Sequence, residues 1–128
     1  MINIAFLNEN QLIEKKYTIV KAGVSNSMER ITKDNCMIIK KIDAMEIQNF
    51  QQNRYPLLFI DFVDSVEVGK SAKGHKNFSY NEWFFPAHFE DEPNVPGFVQ
   101  MEALTQMFLM TFLTMPGNEG KKTAFVKE

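Results

Sequence analysis

The sequence predicts an α+β domain built around one long apolar helix. Residues 98–115 contain twelve apolar residues and a single charge, and they lie between Pro96-Gly97 and Pro116-Gly117. Proline and glycine at these places are typical of the beginning and end of a helix. Several shorter runs elsewhere have strand-like composition. The 128 residues, 45% of them hydrophobic, suffice for one domain with a sizeable core.

The first third of the chain alternates between strand-like and polar segments. Within residues 1–42, runs at 3–7, 17–20 and 36–42 are rich in residues that favour strands. Polar segments separate these runs, as loops separate strands. We expect the polar stretch 23–35 to form a loop or a short surface helix.

The middle of the chain predicts a short helix followed by two strands. Residues 43–52 have apolar side chains at helical spacing, which predicts one or two turns. Two β-branched and aromatic runs, 57–68 and 71–80, predict strands joined by a turn. The aromatic stretch 81–89 has no period and predicts a loop packed on the core. A last strand is expected to begin at 123–126.

Charge and cysteine content exclude several classes of protein. A formal net charge of −2 argues against a dedicated nucleic-acid binder, which usually carries a basic stripe. The single cysteine, Cys36, cannot form an internal disulfide, and the N-terminal residues lack the pattern of a signal peptide. We therefore expect a cytoplasmic protein.

The apolar segment 98–115 has the length of a membrane span. A central carboxylate such as Glu102 would cost a lone span about 2.5–3.5 kcal/mol. We therefore expect no membrane partner, and a helix that is buried all round inside a soluble fold.

Two residues carry the strongest chemical signal. His75 lies among lysines and is expected to be solvated, whereas His88 lies in an apolar loop just before the long helix. An isolated histidine in such a loop is most simply a core residue with one hydrogen bond. Glu102 changes this interpretation, because a carboxylate on an apolar helix face is costly to bury unless it is paired or used. That face contains Phe98, Glu102, Thr105, Leu109 and Phe112.

The start of the helix adds a third element. Backbone N–H groups at a helix N-terminus lack acceptors and carry the positive end of the helix dipole. Gly97 has no side chain, so a ligand can approach the backbone closely. A base, an acid and an oxyanion site together suit the removal of a proton next to a carbonyl group.

A longer pattern surrounds these residues: His88-Phe89-x-x-x-Pro93-x-x-Pro96-Gly97-x-x-x-x-Glu102-Ala103-x-x-Gln106. It resembles the signature of the β-hydroxyacyl-acyl-carrier-protein dehydratases, including the fourteen-residue separation of the histidine and the glutamate. These proteins have the hotdog fold, in which an antiparallel sheet wraps a long helix. The resemblance covers about residues 43–128 of the single domain 1–128. Residues 1–42 form an N-terminal extension with no recognised counterpart.

The resemblance implies a mechanism without metal or organic cofactor. His88 removes a proton from C2 of a (3R)-3-hydroxyacyl thioester, and Glu102 protonates the departing 3-hydroxyl group. Water leaves and the trans-2-enoyl thioester remains. Backbone N–H groups of Gly97 and Phe98 hold the thioester oxygen, and Gln106 orients Glu102.

The resemblance also implies partners. The substrate is carried on the phosphopantetheine of acyl carrier protein in fatty-acid biosynthesis. The family's histidine and acid come from different subunits, which implies a homodimer or a larger oligomer of dimers. Candidate contacts with an acidic carrier protein are Arg54, Lys70, Lys73 and Lys76.

The sequence departs from the family at several points. Ala87 stands where the family has glycine, and Glu90 stands where it has proline. The family continues with further strands beyond the equivalent of Glu128, so we expect a sheet that is incomplete at the C-terminus. The chain is then a fragment, associates with a complementary chain, or replaces these strands with its N-terminal runs.

These departures leave two alternative functions open. One is a related acyl-thioester hydratase or thioesterase. The other is a non-catalytic hotdog protein that binds acyl groups or serves as a scaffold.

Overall fold

A six-stranded antiparallel sheet and one long helix dominate the computed structural model, which describes residues 2–6, 18–20, 28–33 and 36–122. The strands are β1 (Ile2–Phe6), β2 (Thr18–Val20), β3 (Glu29–Lys33), β4 (Cys36–Ile42), β5 (Phe62–Glu67) and β6 (Ser71–Lys76). The helices are α1 (Ala44–Phe50), α2 (Gly97–Leu113) and a short 3₁₀ helix, Phe85–Ala87.

The strands are arranged in the order β1-β6-β5-β4-β3-β2, and each pair of neighbours is antiparallel. Val63 in β5 lies opposite Ile42 of β4 on one side and Gly74 of β6 on the other. The register shifts between Val63 and Ser65, where β5 pairs with β6. The strands of the first third therefore flank the β5–β6 hairpin on both sides.

Helix α2 packs against β1, β5 and β6. Its buried apolar residues repeat with the helical period, so they form one stripe that faces the sheet. The members of this stripe are Val99, Ala103, Met107, Met110 and Leu113. Burial of each large side chain stabilises the fold by about 1.5–3 kcal/mol. The core therefore lies between α2 and the sheet.

Helix α1 connects β4 to the segment that leads into β5. The Asp43 carboxylate accepts hydrogen bonds from the backbone N–H groups of Met45 and Glu46, both at 2.9 Å. The Glu46 carboxylate accepts one from the backbone N–H of Asp43 at 3.0 Å, which completes a capping box. Ile47 and Phe50 are buried in the core. The short helix predicted within residues 43–52 is thus confirmed.

Most other sequence predictions are also confirmed. Helix α2 begins at Gly97, after the Pro96 cap, and ends at Leu113. β4 has the predicted bounds, and β1 and β2 each differ from the prediction by one residue. β5 and β6 are shorter than the two predicted runs. The strand predicted at 123–126 lies outside the described residues.

Two predictions are wrong. The stretch 23–35 was expected to be a loop or a helix, but it contains strand β3. Among residues 28–32, whose burial the structure describes, Ile31 alone is buried, so the polar composition obscures the strand. Helix α2 was expected to be buried all round, yet Phe98 and Met101 are 61% and 63% exposed. The sheet covers only one side of the helix.

Among the described residues, no helix combines the length and the apolar character that crossing a bilayer requires. The 17 residues of α2 include Glu102 and two glutamines.

A close contact between β6 and α2 depends on Gly74. A Cβ atom at this position would overlap the backbone oxygen of Phe62 and lie 2.6 Å from the Met107 Cε atom. Backbone atoms of a paired strand cannot move away cheaply, so the sequence requires a glycine here.

We predict that Gly74→Ala lowers the free energy of unfolding by about 1–3 kcal/mol, because the added methyl group overpacks the core. Urea unfolding followed by circular dichroism measures the change. Gly97→Ala is the matched control, since a Cβ there meets no atom within 4 Å. Equal stability of the two variants would contradict the packing described.

Candidate active site

An aromatic cluster positions the loop that contains His88. Phe84 is 2% exposed, and its ring packs edge-on against Phe78 and Phe85, with centroids 5.7 and 4.7 Å away. The 3₁₀ helix follows directly, and the backbone N–H of His88 donates to the carbonyl of Phe85 at 3.3 Å. The predicted aromatic loop packed on the core is thus confirmed, and it places His88 at a defined point.

The hydrogen bonds of His88 determine which ring nitrogen carries the proton of the neutral ring. Its Nδ1 lies 3.2 Å from the backbone carbonyl oxygen of Asn94, and the backbone N–H of Asn94 donates to the carbonyl of His88 at 2.8 Å. A carbonyl can only accept, so we assign the ring proton to Nδ1. The lone pair of the neutral ring then lies on Nε2, where it can accept a proton. The ring stacks on Phe89 at 4.2 Å.

The residue before His88 tolerates its side chain. Ala87 is exposed, and its backbone lies outside the positive-φ region that favours glycine. The alanine that departs from the family pattern is therefore compatible with the observed loop.

The start of α2 presents two backbone N–H groups beside this loop. The carbonyl of Pro96 accepts hydrogen bonds from the N–H groups of Val99 and Gln100, at 3.0 and 3.2 Å. Gly97 and Phe98 precede them, and their N–H groups have no acceptor within the helix. Because Gly97 is exposed and the direction of its missing Cβ is open, an anionic oxygen can approach these groups.

Glu102 is held by Gln106, one turn further along α2. Gln106 Nε2 donates to Glu102 Oε1 at 2.7 Å, and the carboxyl group is half-buried. Gln106 itself is 1% exposed. The expected contact of these two residues is therefore present in the structure.

Two further groups fix the carboxamide of Gln106. Its Oε1 accepts from the backbone N–H of Phe59 at 2.8 Å, and its Nε2 donates to the carbonyl of Leu57 at 2.7 Å. An amide flip would break both bonds, so Nε2 must face Glu102. The carboxyl oxygen Oε1 is then an acceptor, and the proton of the acid form belongs on Oε2.

The structure places Glu102 in contact with Gln106, and it places the His88 ring in contact with the carbonyl of Asn94. Among the described residues of one chain, no hydrogen bond or ion pair joins His88 to Glu102. The helix face of Glu102 is directed away from the sheet, since Phe98 and Phe112 at its ends are 61% and 38% exposed.

Within the described ranges, no three histidine, cysteine, aspartate or glutamate side chains are grouped so as to hold a metal ion.

Sequence analysis missed the groups that hold Gln106 from outside the helix. Leu57 and Phe59 contribute only backbone atoms to these bonds, so their side-chain identities do not indicate the contact. Gln51 donates from Nε2 to the carbonyl of Gln106 at 2.7 Å and is 1% exposed. It had no signal beyond its place at the end of a predicted helix.

An antiparallel sheet on one side of a long helix that begins at Pro96-Gly97 defines a hotdog-fold domain. Residues 52–127 match the model of the FabA-like domain, and the chain belongs to this family.

Several curated relatives are similar to part of the chain. A 3-hydroxyacyl-[acyl-carrier-protein] dehydratase FabZ of Clostridium novyi (strain NT) is 45% identical over 80 residues, which are 62% of this chain and 56% of the relative. The FabZ proteins of Natranaerobius thermophilus and Moorella thermoacetica are each 42% identical, over 65% and 66% of this chain and 58% and 59% of their own lengths. The chain thus spans less than three fifths of the length of these relatives.

We predict that Gln106→Leu lowers the free energy of unfolding by at least about 2 kcal/mol, because it leaves the Phe59 N–H and the Leu57 carbonyl unpaired, at about 1–3 kcal/mol each. Thermal and urea unfolding measure the loss. Gln48→Leu is the control, because the Gln48 side chain donates to groups of its own exposed helix turn and its loss should change stability by less than about 0.5 kcal/mol. Equal losses for both variants would contradict the central role of Gln106.

Proposed function

We propose that the chain catalyses the dehydration of (3R)-3-hydroxyacyl-[acyl-carrier protein] to trans-2-enoyl-[acyl-carrier protein] in fatty-acid biosynthesis. The single observation that supports this most is the Glu102 carboxyl group, held by a buried glutamine within the residues that match the FabA-like domain. The names of the FabZ relatives supply the substrate class.

The proposed elimination uses one base and one acid. His88 Nε2 takes the proton from C2, and the C2–H electron pair forms the C2–C3 double bond. The C3–O bond breaks as Glu102 Oε2 gives its proton to the hydroxyl group, and water leaves. Each positioned acid or base typically contributes about 10²–10⁴ in rate.

The backbone N–H groups of Gly97 and Phe98 have a separate role. They donate to the thioester carbonyl oxygen, on which negative charge develops as the C2 proton leaves. One donor of this kind typically contributes about 10²–10³ in rate. The assignment rests on the free N–H groups at the start of α2 and on the open space beside Gly97.

The active form is proposed to be a homodimer in which the second copy covers the exposed face of α2. The face has a row of exposed apolar side chains next to Glu102, namely Phe98, Met101, Leu104 and Phe112. A contiguous apolar patch of this kind is typical of an interaction site. A base from one subunit and an acid from the other would also account for the lack of a direct contact between His88 and Glu102 within one chain.

The carrier protein is the proposed partner, in the cytoplasm. Of the four basic residues considered for its docking, Lys70 pairs with Glu67 at 2.7 Å and Lys76 pairs with Asp61 at 2.8 Å. Lys73 is exposed on β6 and is the best remaining candidate. Arg54 donates to backbone carbonyl groups of its own chain, which gives it a different role.

The domain organisation is part of the same proposal. Residues 1–42 precede the matched segment, yet β1 pairs with β6 and β4 pairs with β5. We propose that this extension belongs to the same domain and extends the sheet on both sides of the β5–β6 hairpin.

We predict that His88→Ala and Glu102→Gln each lower kcat at least about 100-fold, because each removes one proton-transfer group. The absorbance of the 2-enoyl thioester measures conversion of a 3-hydroxyacyl thioester attached either to carrier protein or to coenzyme A. His75→Gln is the matched control and should stay within about two-fold of the unmodified chain.

The same assay separates the alternatives. Acyl binding without conversion by the unmodified chain would favour a non-catalytic acyl-binding protein. Hydrolysis of the thioester would indicate a thioesterase. Full activity of both His88→Ala and Glu102→Gln would remove these residues from the mechanism.

A further inference from the structure

The segment that holds Gln106 has no regular secondary structure. We call residues 51–59 the 51–59 loop; it runs from the end of α1 toward β5. It supplies the carbonyl of Leu57 and the N–H of Phe59, the two backbone groups that orient the Gln106 carboxamide. The position of Glu102 therefore depends on whatever holds this loop in place.

The guanidinium group of Arg54 holds the beginning of the loop. Arg54 Nη1 donates to the carbonyl oxygens of Gln51 and Asn53, at 2.6 and 2.8 Å. Its Nη2 donates to the carbonyl of Gln48 at 3.0 Å. Gln48 lies in the last turn of α1, where carbonyl groups lack helical partners. One rigid fork thus ties three backbone carbonyls together, which a lysine ammonium cannot reproduce.

Two branches run from Arg54 to Gln106. In the first, the backbone of Gln51 accepts from Arg54, and the side chain of Gln51 donates to the backbone carbonyl of Gln106 at 2.7 Å. In the second, the carbonyl of Arg54 accepts from the N–H of Leu57 at 2.7 Å, and the carbonyl of Leu57 accepts from the side chain of Gln106. The first branch begins at the guanidinium group and reaches the backbone of Gln106, whereas the second begins at the backbone carbonyl of Arg54, in the part of the loop that the guanidinium group holds.

We propose that Arg54 is a positioning residue for the acid. Its guanidinium group fixes the conformation of the 51–59 loop, and the loop fixes the orientation of the Gln106 carboxamide. Gln106 in turn determines which oxygen of Glu102 faces the substrate. The proposal rests on the proposed dehydratase function for its kinetic consequence, but its structural part stands independently. It differs from a role in docking the carrier protein, which would need the guanidinium to face a partner.

The experiment compares Arg54→Met and Arg54→Lys with the unmodified chain. Arg54→Met keeps the apolar stem and removes the fork, whereas Arg54→Lys keeps the charge. Arg30→Met is the matched control, because Arg30 is the other arginine of the chain and is exposed on β3. Circular dichroism establishes that each variant is folded before kcat, KM and hydrogen exchange are measured.

The first measurement is independent of activity. In the ¹⁵N-labelled chain, the side-chain NH₂ signals of Gln106 are assigned by their loss in Gln106→Leu. Buried, hydrogen-bonded protons exchange with solvent only when the structure opens. We expect their exchange to be at least about 10-fold faster in Arg54→Met, intermediate in Arg54→Lys and unchanged in Arg30→Met.

The second measurement is the kcat–KM split. A misplaced acid slows the chemical step, so we expect kcat to fall about 10- to 100-fold in Arg54→Met while KM stays within about two-fold. Arg54→Lys should recover part of kcat. A raised KM with unchanged kcat would instead assign Arg54 to carrier docking and overturn the proposal.

Failure of the positioning role and failure of the proposed function are distinguishable. If the unmodified chain has no dehydratase activity but Gln106 exchange responds to Arg54, the dehydratase function fails and the structural link stands. Unchanged Gln106 exchange overturns the proposal whatever the activity. If neither Arg54 variant folds, Arg54 is a general structural residue and the positioning role is also overturned.

Discussion

The buried carboxamide of Gln106 is the interaction on which the rest of the site depends. It makes three side-chain hydrogen bonds, two to the backbone of the 51–59 loop and one to Glu102. Because an amide has distinct donor and acceptor ends, the two backbone bonds leave only one orientation toward the carboxyl group. A buried polar group of this kind is stable only when all its bonds are made. The packing of the 51–59 loop on α2 and the position of the Glu102 carboxyl group therefore both depend on Gln106.

The second constraint is the incomplete cover of α2. The sheet buries one stripe of the helix, and the opposite side keeps exposed apolar residues beside Glu102. The same geometry separates the two proposed reacting groups, since His88 is held by its own loop through Asn94 and Glu102 is held by Gln106 on the helix. A proton-transfer pair that faces a shared substrate needs both groups but no bond between them. A second copy on the open face is the proposed way to bring the two together.

The sequence predicts the parts of this arrangement that depend on local rules. Proline and glycine mark the start of α2, and a spacing of four residues places Gln106 next to Glu102. Strand β3 was missed because Ile31 is the one buried side chain among the described residues 28–32 and its neighbours in the strand are polar. The exposure of one side of α2 was also missed, because apolar composition does not indicate which side of a helix packs against the rest of the chain. The role of Arg54 is invisible in the sequence, since all its acceptors are backbone carbonyls.

Mixing two inactive variants tests most directly whether the acid and the base act together across a dimer. His88→Ala and Glu102→Gln chains are unfolded and refolded together, and conversion of the 3-hydroxyacyl thioester is followed. A site shared between subunits predicts that the mixture regains about a quarter of the unmodified activity, because half of the dimers are hybrids with one intact site. No recovery, with hybrid dimers verified by mass, would contradict the account.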